Sequence, residues 1–386
     1  MYIYQSTRQK DSTIIFTVMC AIIFSIFSFF WLYWFQSDLL YITQHILSEK
    51  KTHYNDFVGA ILITGVLQGL QYFVNNLLRL GHHSHALSYV PSFLILAIVS
   101  DIYPEQQQFF NHHHWLIILP IALLLWGGLV WTIKQLSLFD GRRDNNHWVP
   151  RQLWINLLEL NLMMFFVAMM GNTEVLAHYN AHMEKFLLRG NVDEALRTGS
   201  RSQQTDQRLT MLRSYALTQK GMLATNIFDF PIVGTGEDLL PLNNSSVAPL
   251  LLPYRDFYKP LGAQPIAFSS TYRYLDVLEG DSLATPAAKD YYLIGLLIDR
   301  KLDYFISHLQ RCREITDELP KCYREALILY THLRSNPSIV YHHPVLDEDW
   351  SNFNRMKEAP LSYHAQKGLI QEHYRSSYWY YYFFEK

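Results

Sequence analysis

The chain has 386 residues, 49% of them hydrophobic and 15% aromatic, and a formal net charge of −2. That balance supplies no basic surface for a polyanion, which excludes nucleic acid from the expected partners. A mean hydropathy of −0.02 would suit a soluble globular protein, but it averages two halves of opposite character.

Five long apolar runs lie in the first 172 residues, at 13–35, 56–78, 86–102, 114–133 and 154–171. A helix needs about 20 residues to cross the hydrocarbon core of a bilayer. The pattern predicts an all-α protein, with a transmembrane bundle of about five spans at 1–172 and a soluble helical domain at 173–386. Phe29, Phe30, Trp31 and Trp34 make the first run too aromatic for a signal peptide, and no small-residue cleavage site follows it. It reads as a retained anchor.

Orientation follows from the lysines and arginines of short loops. With the N-terminus in the cytoplasm, segments 1–12, 79–85 and 134–153 hold Arg8, Lys10, Arg79, Lys134, Arg142, Arg143 and Arg151. The opposite loops, 36–55 and 103–113, hold only Lys50 and Lys51. Five spans then deliver the C-terminal domain to the outer side, the periplasm of a Gram-negative cell. The third run is short and carries Pro91; if it were re-entrant, the domain would be cytoplasmic instead.

Polar residues inside spans raise a functional question by default. Glu159, flanked by Asn156 and Asn161, and Gln68, followed by Gln71, Asn75 and Asn76, define a polar path or a set of helix–helix hydrogen bonds. Gly65 and Gly69 fit close helix packing, and the packing reading is preferred. Three histidine groups, His82, His83 and His85, then His112–His114, then His342 and His343, have metal-binding chemistry. The first two fall on opposite membrane faces, about 30 Å apart, and each lacks a carboxylate or cysteine at ligand spacing. No metal and no cofactor are expected.

In the soluble half, Val175, Tyr179, Met183, Phe186 and Leu187 form one helical stripe that breaks at Gly190-Asn191. A second cycle runs from Leu209 to a break at Gly221, 31 residues after Gly190, and resumes from Met222 to Phe230. Residues 231–268 carry six prolines and the loop Gly234-Thr235-Gly236-Glu237-Asp238, so no long helix is expected there. Helical patterning returns at Ala284 and continues through 289–298, 302–315, 320–334, 349–356 and 363–374. Cys312 and Cys322 flank one connection, and either a bridge or two free thiols is compatible with their spacing. Tyr272, Arg273, Tyr274 and Asp276 mix aromatic and charged groups and are the candidate binding residues, with burial at a helix start the equal alternative. The aromatic run Tyr378–Phe384 is expected to cap an apolar edge.

The segment Leu187-Leu188-Arg189-Gly190-Asn191-Val192-Asp193-Glu194-Ala195-Leu196 resembles the turn of a tetratricopeptide repeat. Leu297–Phe305 is similar but lacks the small residues, and Met183 and Asn226 stand where that repeat wants Gly or Ala. Three further stretches, Ala287–Phe305, Leu319–Tyr330 and Ser376–Phe384, resemble an uncharacterised family of Bacteroidales multi-pass membrane proteins. The resemblance implies a bacterial inner-membrane location and an extracytoplasmic helical domain, without an activity.

No catalytic constellation stands out. The leading expectation is a membrane-anchored scaffold whose helical domain binds a protein partner. The alternative is a membrane enzyme acting on a lipid-linked glycan. Such enzymes want paired acids in the first outer loop, where this chain has only Asp38, Glu49 and, at the edge, Asp56. A transporter is the third reading, weakened by the lack of an internal repeat. The oligomeric state is open.

Overall fold

The computed structural model describes residues 17–78, 80, 84–103, 112–139, 148–242, 247–265, 270–360 and 362–385. Arg8, Lys10, Arg79, His82, His83, Arg142 and Arg143 lie outside them, as do the side chains of His112, His113 and Arg151. Among the described residues the regular structure is helical. The chain divides into two compact units, Met1–His178 and Tyr179–Lys386. Hydropathy put the division at 172/173. In the structure the next few residues stay with the first unit, where His178 Nε2 lies 3.0 Å from the Asn172 carbonyl oxygen.

The first unit contains α1 (Thr17–Phe35), α2 (Ser37–Leu47), α3 (Asp56–Leu78), α4 (Val90–Ser100), α5 (His112–Phe139) and α6 (Trp148–Met170). Helices α1, α3, α5 and α6 are long and apolar enough to cross a membrane. Much of their surface is apolar and outward-facing, as at Leu62, Val66, Leu124, Leu125 and Phe165. The expected third span is shorter than its hydropathy suggested. A 3-10 turn, His85–Tyr89, leads into α4, whose first turn contains Pro91.

The short helix is stitched into the bundle by buried polar side chains. Near its start, Asn156 Oδ1 accepts from the Ala86 amide (2.8 Å), and Trp126 Nε1 donates to the Leu87 carbonyl (2.9 Å). Gln71 Nε2 donates to Ser88 Oγ (2.8 Å), and Ser92 Oγ to the Leu67 carbonyl (2.8 Å). At its far end Trp31 Nε1 donates to Ser100 Oγ, and Trp115 Nε1 to Asp101 Oδ2. Asn172 Nδ2 donates to the Ile102 carbonyl, and Gln36 Nε2 to the Asn172 carbonyl. The ends of α1, α4 and α6 and the start of α5 therefore meet at one end of the unit. Phe57, opening α3, packs there on Phe29 and Tyr33. Each of these buried amide and indole N–H groups donates to an oxygen, as an apolar surrounding requires.

The second unit contains α7 (Val175–Leu188), α8 (Val192–Arg197), α9 (Gln207–Gln219), α10 (Leu223–Asn226), α11 (Tyr254–Tyr258), α12 (Thr271–Gly280), α13 (Pro286–Ile298), α14 (Leu302–Cys312), α15 (Lys321–Leu333), α16 (Pro344–Lys357), α17 (Tyr363–Tyr374) and α18 (Tyr378–Phe384). The boundary between units falls in the first turn of α7. Helix starts are capped by side-chain oxygens of Asn191, Asp206, Ser270, Thr285, Ser362 and Ser377.

Four helix pairs close with the same turn. After α7 the Gly190 amide donates to the Leu187 carbonyl and the Asn191 amide to the Phe186 carbonyl. The same two bonds recur at Gly221 and Met222, at Ser282 and Leu283, and at Arg300 and Lys301. This is the Schellman pattern, and it needs a left-handed residue at its centre. Gly190 (φ +74°) and Gly221 (φ +66°) adopt that conformation without steric cost. Arg300 (φ +57°) adopts it as a non-glycine. Its guanidinium offsets the strain by bonding the Tyr381 and Glu385 carbonyls and lying 5.0 Å over the Tyr381 ring. Sequence matching at this turn saw only the missing small residue.

The C-terminal aromatic run is interior rather than an edge cap. Tyr378, Trp379 and Tyr380 are at most 2% exposed. Trp379 meets Trp350, Phe353 and Tyr374, while Tyr378 and Tyr381 flank Phe228. Tyr378 and Tyr381 also donate their hydroxyls to the Leu297 and Ile298 carbonyls. The unpaired end of α13 is thereby satisfied by the end of the chain.

Candidate functional site

Helix α12 carries the four sequence-predicted binding residues, which differ in burial. Tyr274 is buried and donates its hydroxyl to the Ala263 carbonyl. Tyr272 is half-buried and donates to Asp299 Oδ2 at 2.8 Å. Asp299 also accepts the Gly236 amide, also at 2.8 Å. A Cβ on Gly236 would lie 2.0 Å from that tyrosine hydroxyl, so glycine is what lets the loop approach α12 and α13. Arg273 and Asp276 are exposed. Tyr272 thus fastens the Gly236 loop, and Tyr274 the Ala263 carbonyl, onto the helices; Tyr272 also packs edge-on to Tyr292 at 5.5 Å, and Tyr292 bonds Asp276.

Buried carboxylates hold backbone in the same way. Glu184 on α7 is fully buried, and it accepts the amides of Leu250 (2.8 Å), Leu251 (2.6 Å) and Leu252 (3.4 Å). It fastens the irregular segment to the helical body, a role that no local pattern announces. Glu325 on α15 accepts the Tyr378 amide at 2.7 Å, and its own carbonyl accepts Trp379 Nε1.

Burial pushes the Glu325 carboxyl up to about 7, against an ordinary value of 4.5, with Lys321 opposing the shift. A raised folded-state value means that the fold favours the protonated acid. The contribution of Glu325 to stability is present below about pH 4.5 and is lost as pH rises through 7, on the order of 3 kcal/mol in total. Glu325→Gln abolishes this term. The melting temperature of the variant relative to wild type is expected to rise between pH 5 and pH 8; a constant difference would refute the assignment.

The intramembrane pair named from sequence is not one contact. Gln68 Nε2 donates to Gln71 Oε1 and, at 3.3 Å, to Tyr89 Oη, all beside the start of α4. Glu159 sits on α6, one turn beyond Asn156. The observed bonds from Gln68, Gln71 and Asn156 are helix-packing bonds of the kind polar residues make in apolar bundles. Between α2 and α3, Glu49 is exposed and pairs with Lys51 at 3.3 Å.

Histidines of the sequence clusters also find local partners. His114 Nε2 lies 2.8 Å from Asp101 Oδ2, His85 packs edge-on to Tyr89, and His342 Nδ1 lies 3.3 Å from Asp347 Oδ2. The His343 ring accepts the Leu346 amide and caps α16. Cys20, Cys312 and Cys322 are free thiols; Cys322 Sγ donates to the Ala224 carbonyl.

A grouping that sequence reading missed joins α12 to α14. His308 and Cys312 stand one helical turn apart on α14, and Glu279 of α12 faces both. His308 Nε2 lies 3.4 Å from Glu279 Oε2, and Cys312 Sγ lies 3.5 Å from Glu279 Oε1. One donor atom from each residue lies within 4.8 Å of the others. The Tyr292 ring stacks on the His308 imidazole with centroids 3.9 Å apart. The spacing of His308 and Cys312 on one helix face was the available signal, but Glu279 is 29 residues away in sequence.

These features define a class: an all-helical protein with membrane-length apolar helices in one unit and a separately cored helical domain in the other. Residues 269–385 match the model of a family of unknown function (DUF6057). All three stretches carrying the family resemblance noted in the sequence fall inside that match. No curated protein and no solved structure matches the chain.

Proposed function

We propose that this protein is a membrane-anchored scaffold whose C-terminal helical domain binds a protein partner in the periplasm. One observation carries the reading. In that domain the buried carboxylates Glu184 and Glu325 and the half-buried Asp290 and Asp299 are all engaged in holding its own chain together. A domain that commits its buried acids to architecture offers its surface, and that surface is partly apolar. Tyr304, Leu333 and Val340 are 70%, 40% and 60% exposed. Tyr304 and Leu333 adjoin the Asp303–Arg334 ion pair, and the amide of Tyr341, next to Val340, donates to Thr331 Oγ1. Mixed apolar and charged surface of this kind suits protein contact.

The repeated Schellman-closed helix pairs support a tetratricopeptide-like origin, with Arg300 in place of one glycine. The periplasmic assignment is supported by the course of α4, which ends level with the ends of α1 and α6. Five passes then separate the N-terminus from the domain, in agreement with the loop charges, in a bacterial inner membrane.

A photo-crosslinking residue at Tyr304 in native membranes is expected to give one discrete protein adduct, lost with Val340→Glu. Adducts to lipid alone would overturn the reading. So would loss of function in Asp38→Ala/Glu49→Ala with the adduct retained, which is the outcome expected of a glycan-modifying enzyme.

A further inference from the structure

We propose that Glu279, His308 and Cys312 form a binding site for a divalent transition metal ion of the zinc class. The chemistry of the three donors is the first argument. A thiolate, an imidazole and a carboxylate are the ligands such ions take, at bonds of about 2.0–2.3 Å in a tetrahedral arrangement. The geometry is the second. Those bond lengths require donor-to-donor edges of about 3.3–3.6 Å in a tetrahedron. The structure has two such edges, 3.4 Å between His308 and Glu279 and 3.5 Å between Cys312 and Glu279. The three donors leave a fourth position for water or a ligand, and a surface cavity lined by Gln310, Arg311, Cys312, Arg313, Glu314 and Ile315 opens at the cysteine.

The surroundings hold the site in shape. His308 is 3% exposed and clamped under Tyr292. Burial keeps its imidazole below the ordinary value, hence neutral and available as a ligand. Without metal, burial and then the Glu279 charge push the Cys312 thiol up to about 11. Metal binding would replace that thiol proton, leaving a neutral ion–thiolate–carboxylate unit.

The test uses the full-length chain in detergent, loaded with cobalt and separately with zinc, and compared with Cys312→Ser and His308→Gln. Wild type is expected to bind one ion per chain, with a cobalt–thiolate charge-transfer band and a raised melting temperature in zinc. Both variants should lose the band and the zinc shift while their metal-free melting temperatures stay near wild type. Folded wild type without the band, or a band persisting in Cys312→Ser, would overturn the site. Variants that fail to fold are replaced by Glu279→Gln, for which the same two readouts apply.

Discussion

Glu184→Ala is expected to destabilise the C-terminal domain by about 3 kcal/mol or more. The substitution leaves the buried amides of Leu250, Leu251 and Leu252 without an acceptor, and each unsatisfied amide costs roughly 1–3 kcal/mol. For a domain of this size that corresponds to a drop of roughly 6–12 °C in melting temperature. The loss should begin locally, because Glu184 is what fastens the 247–252 segment to α7. Limited proteolysis of detergent-purified protein is therefore expected to cut first near residue 250 in the variant and not in wild type. Glu184→Gln keeps one acceptor oxygen and should fall between the two. A variant as stable and as protease-resistant as wild type would show that the carboxylate does not hold the segment.

Trp379→Ala is expected to cost more, about 3–5 kcal/mol. Its indole is 1% exposed and packs among Trp350, Phe353 and Tyr374. It also donates to the Glu325 carbonyl. Truncating a buried tryptophan forfeits the transfer energy of the ring and leaves a cavity that the surroundings fill only partly. The whole domain should respond, since α18 sits against α15, the end of α13 and Phe228. A cooperative shift in helical signal on thermal unfolding tests this. A shift below a few degrees would mean that α18 is a peripheral cap.

Long-range order separated what was legible in the sequence from what was not. Asp56–Leu78 and Tyr363–Tyr374 appear at the expected bounds, because their signals, apolar length and 3.6-residue periodicity, are local. Both glycine turns were likewise visible as breaks. The 86–102 run came out shorter, because hydropathy registers apolar content and not the serines, Pro91 and Asp101 that shape α4. At 222–230 the expected helix is a single turn, α10, followed by a 3-10 turn. α12 at Thr271–Gly280 began before the predicted return at 284, its start hidden next to the prolines and capped by Ser270 and Glu237. The site residues were least legible. Tyr272 and Tyr274 were compatible with a groove or with burial at a helix start, and their partners, Asp299 and the Ala263 carbonyl, lie outside any local window. Glu279, Glu184 and Glu325 take their roles from residues 29 to 68 positions away, as His308, Leu252 and Tyr378 show. No window of sequence contains those pairs.

In the proposed topology the bundle carries the helical domain to the side opposite the N-terminus. The most direct test is labelling by a membrane-impermeant maleimide of Tyr304→Cys and Lys134→Cys, each in a Cys312→Ser background. Both positions are exposed, one on α14 and one near the far end of α5. Cells with only the outer membrane opened should label position 304 and leave 134 unlabelled until the inner membrane is breached. Label at 134 with 304 protected would place the domain in the cytoplasm and contradict the account.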